Sequence, residues 1–157
     1  MVTGSLTGVT SRPRFVCQGE FSLPLPPEEA FHLFTASGER LWVPGWSPEF
    51  LADVDDDSAA GTVFRTSTDG RVTTWIVVES RPPVTAVYAR FRPGHSATTV
   101  RVRLEPADGG ARVLVGYDIT SLDEGADGLL ADFAAGYDGM LNEWRRLIEA
   151  ALPDLSP

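Results

Sequence analysis

Residues 99–105 read TVRVRLE, and polar and apolar side chains alternate there without interruption. Successive side chains of a β-strand point to opposite faces of the sheet, so this pattern predicts a strand with Val100, Val102 and Leu104 facing a core. Both arginines of the stretch then face water. A sheet with one buried and one wet face is typical of antiparallel strands, and the stretch therefore predicts an antiparallel sheet.

Strand-like segments flank this stretch on both sides, with turn signals between them and no helical period. The segments that follow an acidic loop cover residues 62–67, 72–80, 84–92, 97–105 and 111–120. An earlier segment, residues 14–23, carries its apolar side chains at every second position, which indicates a strand with one buried face. We therefore predict an antiparallel meander of about six to seven strands.

Helical patterns lie before and after this meander. Pro27, followed by two glutamates, is typical of a helix start, and residues 37–42 suit a second short helix. In residues 125–152 apolar side chains recur every three or four positions, which predicts one long amphipathic helix that ends before Pro153. Gly136 and Gly139 inside it indicate either close contact with the sheet or space left for a ligand.

Length and charge limit the functional classes. The 157 residues suit one domain, predicted over residues 14–152, with a flexible N-terminus at 1–13 and a tail at 153–157. The net charge is -9 and no basic patch is present, so nucleic acid is not an expected partner. No apolar run is long enough for a signal peptide or a membrane span, and we expect a cytoplasmic protein without membrane insertion. The single cysteine, Cys17, forms no internal disulfide, and a homodimer is left open.

Three segments resemble a known superfamily: PLPPEEAFHLFTASGERLWVPGW at 24–46, GTVFRTSTDGRVTTWIVVE at 61–79 and LNEWRRLI at 141–148. They are similar to the START-like SRPBCC superfamily, and within it to small bacterial proteins grouped with polyketide cyclases, dehydrases and lipid transport. The resemblance covers about residues 14–152. It implies the α+β helix-grip fold: a curved antiparallel sheet around a long C-terminal helix, two short helices after the first strand, and an apolar cavity between sheet and helix. Carriers, receptors, cyclases and chaperone activators share that scaffold.

Large side chains predicted on the strands and the helix form the expected wall of this cavity. The expected ligand contacts are Trp42, Trp46, Phe64, Trp75, Tyr88, Phe91, Tyr117, Phe133, Tyr137 and Leu141. The segment LWVPGWSPEF at 41–50 is expected to close one end of the cavity, with its tryptophans as a structural plug or as a lid. Both faces of residues 72–92 are apolar, and Arg65 and Arg90 would flank the interior only in the alternative register of their strands.

Few side chains are candidates for proton transfer. His95, in a hairpin turn, and the hydroxyls of Tyr117 and Tyr137 are the weak candidates for catalysis, and no carboxylate pair has a spacing that brings its members together. The acidic residues 53–57 lack the glycine and the bidentate glutamate of a calcium loop. We predict no metal site and no cofactor.

Three functions are compatible with this pattern. The first is the binding of a small hydrophobic or aromatic molecule, lipid-like or polyketide-like, by burial against aromatic walls. The second is a metal-free cyclase or dehydratase that uses the same cavity, and the third is an interaction module like the chaperone activators. A measured open volume between the last helix and the sheet would favour the first two over the third.

Overall fold

A seven-stranded antiparallel sheet forms the frame of the protein. The computed structural model describes residues 11–53 and 55–155. The strands are β1 (Arg14–Leu23), β2 (Glu49–Phe50), β3 (Val63–Thr68), β4 (Arg71–Arg81), β5 (Thr85–Arg92), β6 (Ser96–Ala107) and β7 (Gly110–Ser121). Their order across the sheet is β1-β7-β6-β5-β4-β3-β2, and every neighbouring pair is antiparallel. The predicted meander is confirmed, and the two-residue strand β2 is the one that the sequence pattern does not reveal.

Short helices follow β1, as predicted. Helix α1 (Pro27–Ala30) begins with a proline, whose fixed φ suits the first helical position, and two glutamates lie in its first turn. Two 3-10 helices, Phe31–Phe34 and Gly38–Leu41, continue the segment. A Cβ at Gly38 would lie 1.6 Å from the His32 carbonyl oxygen, so only glycine permits this close turn.

The predicted long C-terminal helix is confirmed, but its predicted range of 125–152 is divided into two helices. Helix α2 (Glu124–Ala135) starts at Asp123, whose carboxylate accepts a hydrogen bond from the Gly125 amide, and it ends at Gly136. Helix α3 (Tyr137–Leu155) follows at once. It also continues past Pro153, because a proline in the last turn removes only one backbone hydrogen bond. No helix in the described part of the chain is both long and apolar enough to cross a bilayer.

The ends of the chain lie partly outside the described residues, which exclude 1–10 and 156–157. Within the predicted flexible N-terminus, the Arg12 side chain forms an ion pair with Asp127 and a 3.3 Å hydrogen bond with the Ser121 hydroxyl. The carbonyl of Pro13 accepts a hydrogen bond from the Ser121 amide. Residues 12 and 13 therefore tie the segment before β1 to the end of β7 and the beginning of α2.

The helices cover only one side of the sheet. Helix α3 packs on β1, and α2 packs on β1 and β7. A Cβ at Gly19 would lie 2.6 Å from Leu141 Cδ1, so strand and helix approach closely at this point. Gly139, in contrast, has no atom within 4 Å of its added Cβ, and close packing on the sheet does not explain it. The inner face of β3, β4 and β5 is left for another part of the chain to cover.

Candidate functional site

A cavity of about 420 Å³ lies between the inner face of the sheet and the two C-terminal helices. This volume falls within the range of small-molecule pockets, which is roughly 300–1,000 Å³. Its rim includes the exposed residues Pro44, Gly45 and Leu129, so the cavity communicates with solvent. The helical wall and one strand position are apolar: Ile119, Leu129, Leu130, Phe133, Met140 and Trp144.

The two tryptophans of residues 41–50 have different roles. Trp42 is buried, its Nε1 donates a 2.7 Å hydrogen bond to the Leu33 carbonyl, and its ring meets Trp144 edge-on at 5.4 Å. Trp46 is half-buried, donates a 2.7 Å hydrogen bond to the Ala36 carbonyl, and lines the cavity. Trp42 is therefore part of the core, and Trp46 is a cavity wall that covers the inner face of β3 and β4.

An arginine forms the polar floor of the cavity. The guanidinium of Arg90 lies over the rings of both Trp75 and Tyr117, 5.2 Å from each ring centroid. Within the described residues, its buried Nε has no hydrogen-bond partner, and the buried hydroxyl of Thr98 has none either. Arg90 and Thr98 are directly opposite each other on β5 and β6. Buried polar atoms are normally hydrogen-bonded, so the free Nε of Arg90, which lines the cavity, indicates a site that a ligand or water completes.

The register of β5 explains why Arg90 faces inward, and it corrects one prediction. Tyr88 pairs with Val77 and Arg90 pairs with Trp75, so these side chains share the inner face. Phe91 therefore points outward, where it is 47% exposed, and the prediction that it faces the interior is wrong. Residues 88 and 91 are three positions apart and cannot lie on the same face of a regular strand.

Glu39 supplies a carboxyl group that the sequence analysis missed. It lies on the second 3-10 helix, directly after the tight turn at Gly38, and it lines the cavity while remaining partly buried. Desolvation raises its pKa from 4.5 to about 8, and the positive charge of Arg90 opposes part of this increase. The carboxyl group is therefore mostly protonated at neutral pH.

The remaining titratable groups among the described lining residues are His95, Arg92 and Tyr117, and the hydroxyl residues Thr66, Ser67 and Thr68 also line the cavity. His95 Nδ1 is 2.8 Å from the Ser96 hydroxyl, and burial together with Arg92 lowers the pKa of the imidazole, which stays neutral at pH 7. Arg92 Nε donates a 2.8 Å hydrogen bond to the Thr73 hydroxyl. The Tyr117 hydroxyl has no partner among the residues that the structure describes, and burial raises its pKa. It is therefore a neutral donor available to a ligand.

Several predicted contacts lie in the core behind the cavity. Phe64 stacks on Trp75 with ring centroids 5.7 Å apart, and Leu141 is buried against β1. The Tyr88 hydroxyl donates to the Phe34 carbonyl at 2.6 Å. The Tyr137 hydroxyl donates to the Val115 carbonyl at 2.7 Å, and burial raises the pKa of both phenols. Five of the predicted site residues line the cavity: Trp46, Trp75, Tyr117, Phe133 and His95. The predicted contacts that do not line it are Trp42, Phe64, Tyr88, Tyr137 and Leu141.

Arg65 and the acidic loop lie away from this site. Arg65 faces outward and forms a 2.8 Å ion pair with Glu49. In residues 11–53 and 55–155, no group of three or more His, Cys, Asp or Glu side chains is placed to hold a metal ion.

Comparisons with known proteins support the fold. No protein family matches the sequence, and no curated protein matches it. A protein of Rhodobacter sphaeroides superposes with a TM-score of 0.66 and 19% identity over 91% of this chain and 95% of its own. Ara h 8.0201 superposes with a TM-score of 0.65 and 19% sequence identity over 90% of this chain and 99% of its own. DynU16, from the dynemicin biosynthetic locus, superposes with a TM-score of 0.62 and 17% sequence identity over 87% of this chain and 48% of its own. The architecture is the helix-grip fold, as the sequence predicted.

Tyr117 on the sheet and Tyr137 on α3 should differ in their effect on stability. Tyr137→Phe leaves the Val115 carbonyl without its donor, and we expect a loss of about 1–2 kcal/mol in the free energy of unfolding. Tyr117→Phe removes a hydroxyl without a described partner, so we expect a change below about 0.5 kcal/mol. Urea denaturation of both variants measures this difference, and equal losses would contradict the assignment.

The raised pKa of Glu39 predicts how stability depends on pH. The folded protein binds more protons than the unfolded chain between pH 4.5 and about 8, so the contribution of Glu39 to stability falls as pH rises through this range. In Glu39→Gln this decline is absent. Because solvent reaches part of the side chain, we expect the variant to gain roughly 1–3 kcal/mol over the wild type between pH 5 and pH 8. Urea denaturation across this range measures the gain, and parallel pH profiles would refute the prediction.

Proposed function

We propose that this protein binds a small hydrophobic or aromatic molecule, lipid-like or polyketide-like, in the cavity between sheet and helices. The observation that carries the proposal is the cavity itself, about 420 Å³ in volume, with an apolar helical wall and a floor arginine, Arg90, whose Nε lacks a partner within the described chain. An apolar cavity with a few convergent polar groups is the usual form of a small-molecule site.

The size of the cavity is sufficient for measurable affinity. Burial of ~300 Å² of apolar ligand surface supplies about 7 kcal/mol at ~25 cal/mol per Å². Part of this is offset by lost translational and rotational freedom and by the ordering of side chains. The aromatic rings of Trp46, Phe133 and Trp144 are already held by the fold, which keeps the ordering cost small. We expect micromolar binding.

The family and location belong to the same proposal. Membership of the START-like SRPBCC superfamily is supported by the helix-grip architecture together with the three similar sequence segments. A cytoplasmic location is consistent with the free, buried thiol of Cys17, since reducing compartments keep such thiols unpaired.

Binding of the neutral dye N-phenyl-1-naphthylamine tests the proposed site. The fluorescence of the dye rises in apolar surroundings. Trp46 and Trp75 line the cavity, so their fluorescence should change when the dye binds. Met140→Trp fills the cavity from α3, so we expect at least about ten-fold weaker binding than in the wild type. The dissociation constants follow from fluorescence titration, with circular dichroism as the check of folding.

A matched control comes from the outer face of the sheet. A depression of about 860 Å³ lies there, lined by residues that include Val63, Ile76 and Phe91, and no helix of the described part of the chain covers it. Ile76→Ser changes that surface and should leave dye binding unchanged. Binding that is lost in Ile76→Ser and retained in Met140→Trp would move the site to the outer face, and no binding to the wild type would overturn the proposal.

A proton-transfer enzyme of the cyclase or dehydratase type is the second candidate, and Glu39 is the observation that favours it. A general base works best when its pKa is near the operating pH, and the pKa of Glu39 is raised to about 8. Ionised Glu39 would accept a proton from the carbon beside a ligand carbonyl, while Arg90 and the Tyr117 hydroxyl stabilise the enolate oxygen.

Deuterium exchange distinguishes the enzyme from the binding protein. In heavy water at pH 9, we expect the wild type to accelerate exchange at the methyl group of 2-acetonaphthone, and Glu39→Gln to lose about 100-fold of that acceleration while still binding the dye. Exchange at the uncatalysed rate with the wild type would eliminate this candidate and leave the binding function standing.

A further inference from the structure

Most arginines of the protein form ion pairs, but three that lie together near one end of the cavity do not. Eight of the thirteen arginines form ion pairs with carboxylates, which is expected for a chain of net charge -9. Arg71, Arg90 and Arg92, which lie together near His95, form none within residues 11–53 and 55–155. One end of the cavity is therefore positive although the whole protein is strongly acidic.

The cavity itself does little to neutralise these charges. Glu39 is the carboxyl group among its described lining residues, and it is mostly protonated at neutral pH because its pKa is raised to about 8. His95 and Tyr117, the other titratable groups that face the arginines there, are neutral at pH 7. The residues that α2 and α3 contribute to the lining are apolar. A negative charge is thus missing at this end of the cavity.

The geometry of Arg90 decides how such a charge would be bound. The guanidinium carbon lies over the rings of Trp75 and Tyr117, and the Nε–H has no hydrogen-bond partner among the described residues, so the Nε edge of the group is available for hydrogen bonds. The rings stabilise the cation and fix its orientation. The edge of a guanidinium presents parallel N–H groups whose spacing matches the two oxygens of a carboxylate. Burying a cation without a hydrogen-bond acceptor is costly, and a bound anion removes that cost.

We propose that the ligand is an amphipathic organic anion, whose carboxylate or similar planar oxyanion binds the edge of Arg90 while its apolar body lies against Phe133, Met140 and Trp144. This inference rests on the proposed binding function and narrows its ligand class. The hydroxyl of Tyr117 is a neutral donor beside the same oxyanion position.

The test compares two ligands of the same shape and different charge. 2-Naphthoate and 2-naphthamide compete with bound N-phenyl-1-naphthylamine at pH 7, and the displacement curves give both affinities. In the wild type we expect naphthoate to bind at least about ten-fold more tightly than naphthamide, since hydrogen bonds to charged groups are the stronger ones. In Arg90→Gln we expect that preference to fall to about two-fold or less. The neutral dye shows whether the cavity of the variant still forms.

Arg101→Gln is the matched control. Arg101 is exposed on the outer face of β6, so this variant loses the same charge without altering the cavity. It should keep the ten-fold preference of the wild type. An equal loss of preference in both variants would overturn the inference, because general charge rather than Arg90 would then attract the anion.

The other outcomes are equally decisive. A wild type that binds the dye but does not prefer naphthoate overturns the inference and leaves the proposed function standing. A wild type that binds neither the dye nor the naphthyl compounds overturns both. If Arg90→Gln does not fold, Arg90→Lys replaces it, and we expect it to retain only part of the preference because a lysine lacks the two-pronged edge.

Discussion

The antiparallel pairing of Trp75 on β4 with Arg90 on β5 places a guanidinium on the inner face of the sheet, between two aromatic rings. Each ring also has a second function. Trp75 stacks on Phe64 and donates to the Thr66 hydroxyl, which joins the cavity floor to the core, and Tyr117 contacts Phe133 on α2. The interaction of Arg90 with these rings therefore connects the sheet, the core and the helical wall, and it defines the polarity of the space that they enclose.

The open space itself results from where the helices pack. Gly19 allows α3 to approach β1 closely, and both C-terminal helices lie over the β1 and β7 side of the sheet. The inner face of β3 and β4 is covered instead by Trp46, whose ring meets Trp75 edge-on at 5.6 Å. A single ring fills less volume than a helix does, and the difference is the cavity. Close packing at one edge of the sheet and a void toward the other are two results of the same helix position.

The sequence predicted the parts of this structure that repeat and missed those that depend on a single position. Five strands of the meander were identified as strand-like segments separated by turn signals, and the signal is strongest where period-two alternation is uninterrupted, as in residues 99–105. The break at Gly136 was missed, since one glycine is compatible with a continuous helix as well as with its end. Trp46, Trp75, Tyr117 and Phe133 were found as cavity residues because large aromatic side chains usually face inward. Glu39 was missed for the opposite reason, because charged side chains usually face water, and Arg90 was expected at the interior only in the alternative register of its strand. The assignment of Arg90 required the register of β5, which an irregularity between Val77 and Glu79 on the paired strand obscures.

The hydrogen bonds that hold residues 31–46 have a consequence for the cavity. Trp42 and Trp46 bind the Leu33 and Ala36 carbonyls, and Tyr88 binds the Phe34 carbonyl, so the loop and the short helices form one rigid segment. Glu39 belongs to that segment and is fixed opposite Arg90. An anion seated at Arg90 would cancel the positive charge that favours ionised Glu39, and the carboxyl group would retain its proton to higher pH. Occupancy of the cavity and the proton count of the protein are then thermodynamically linked, so filling the site above neutral pH takes up hydrogen ions from the buffer.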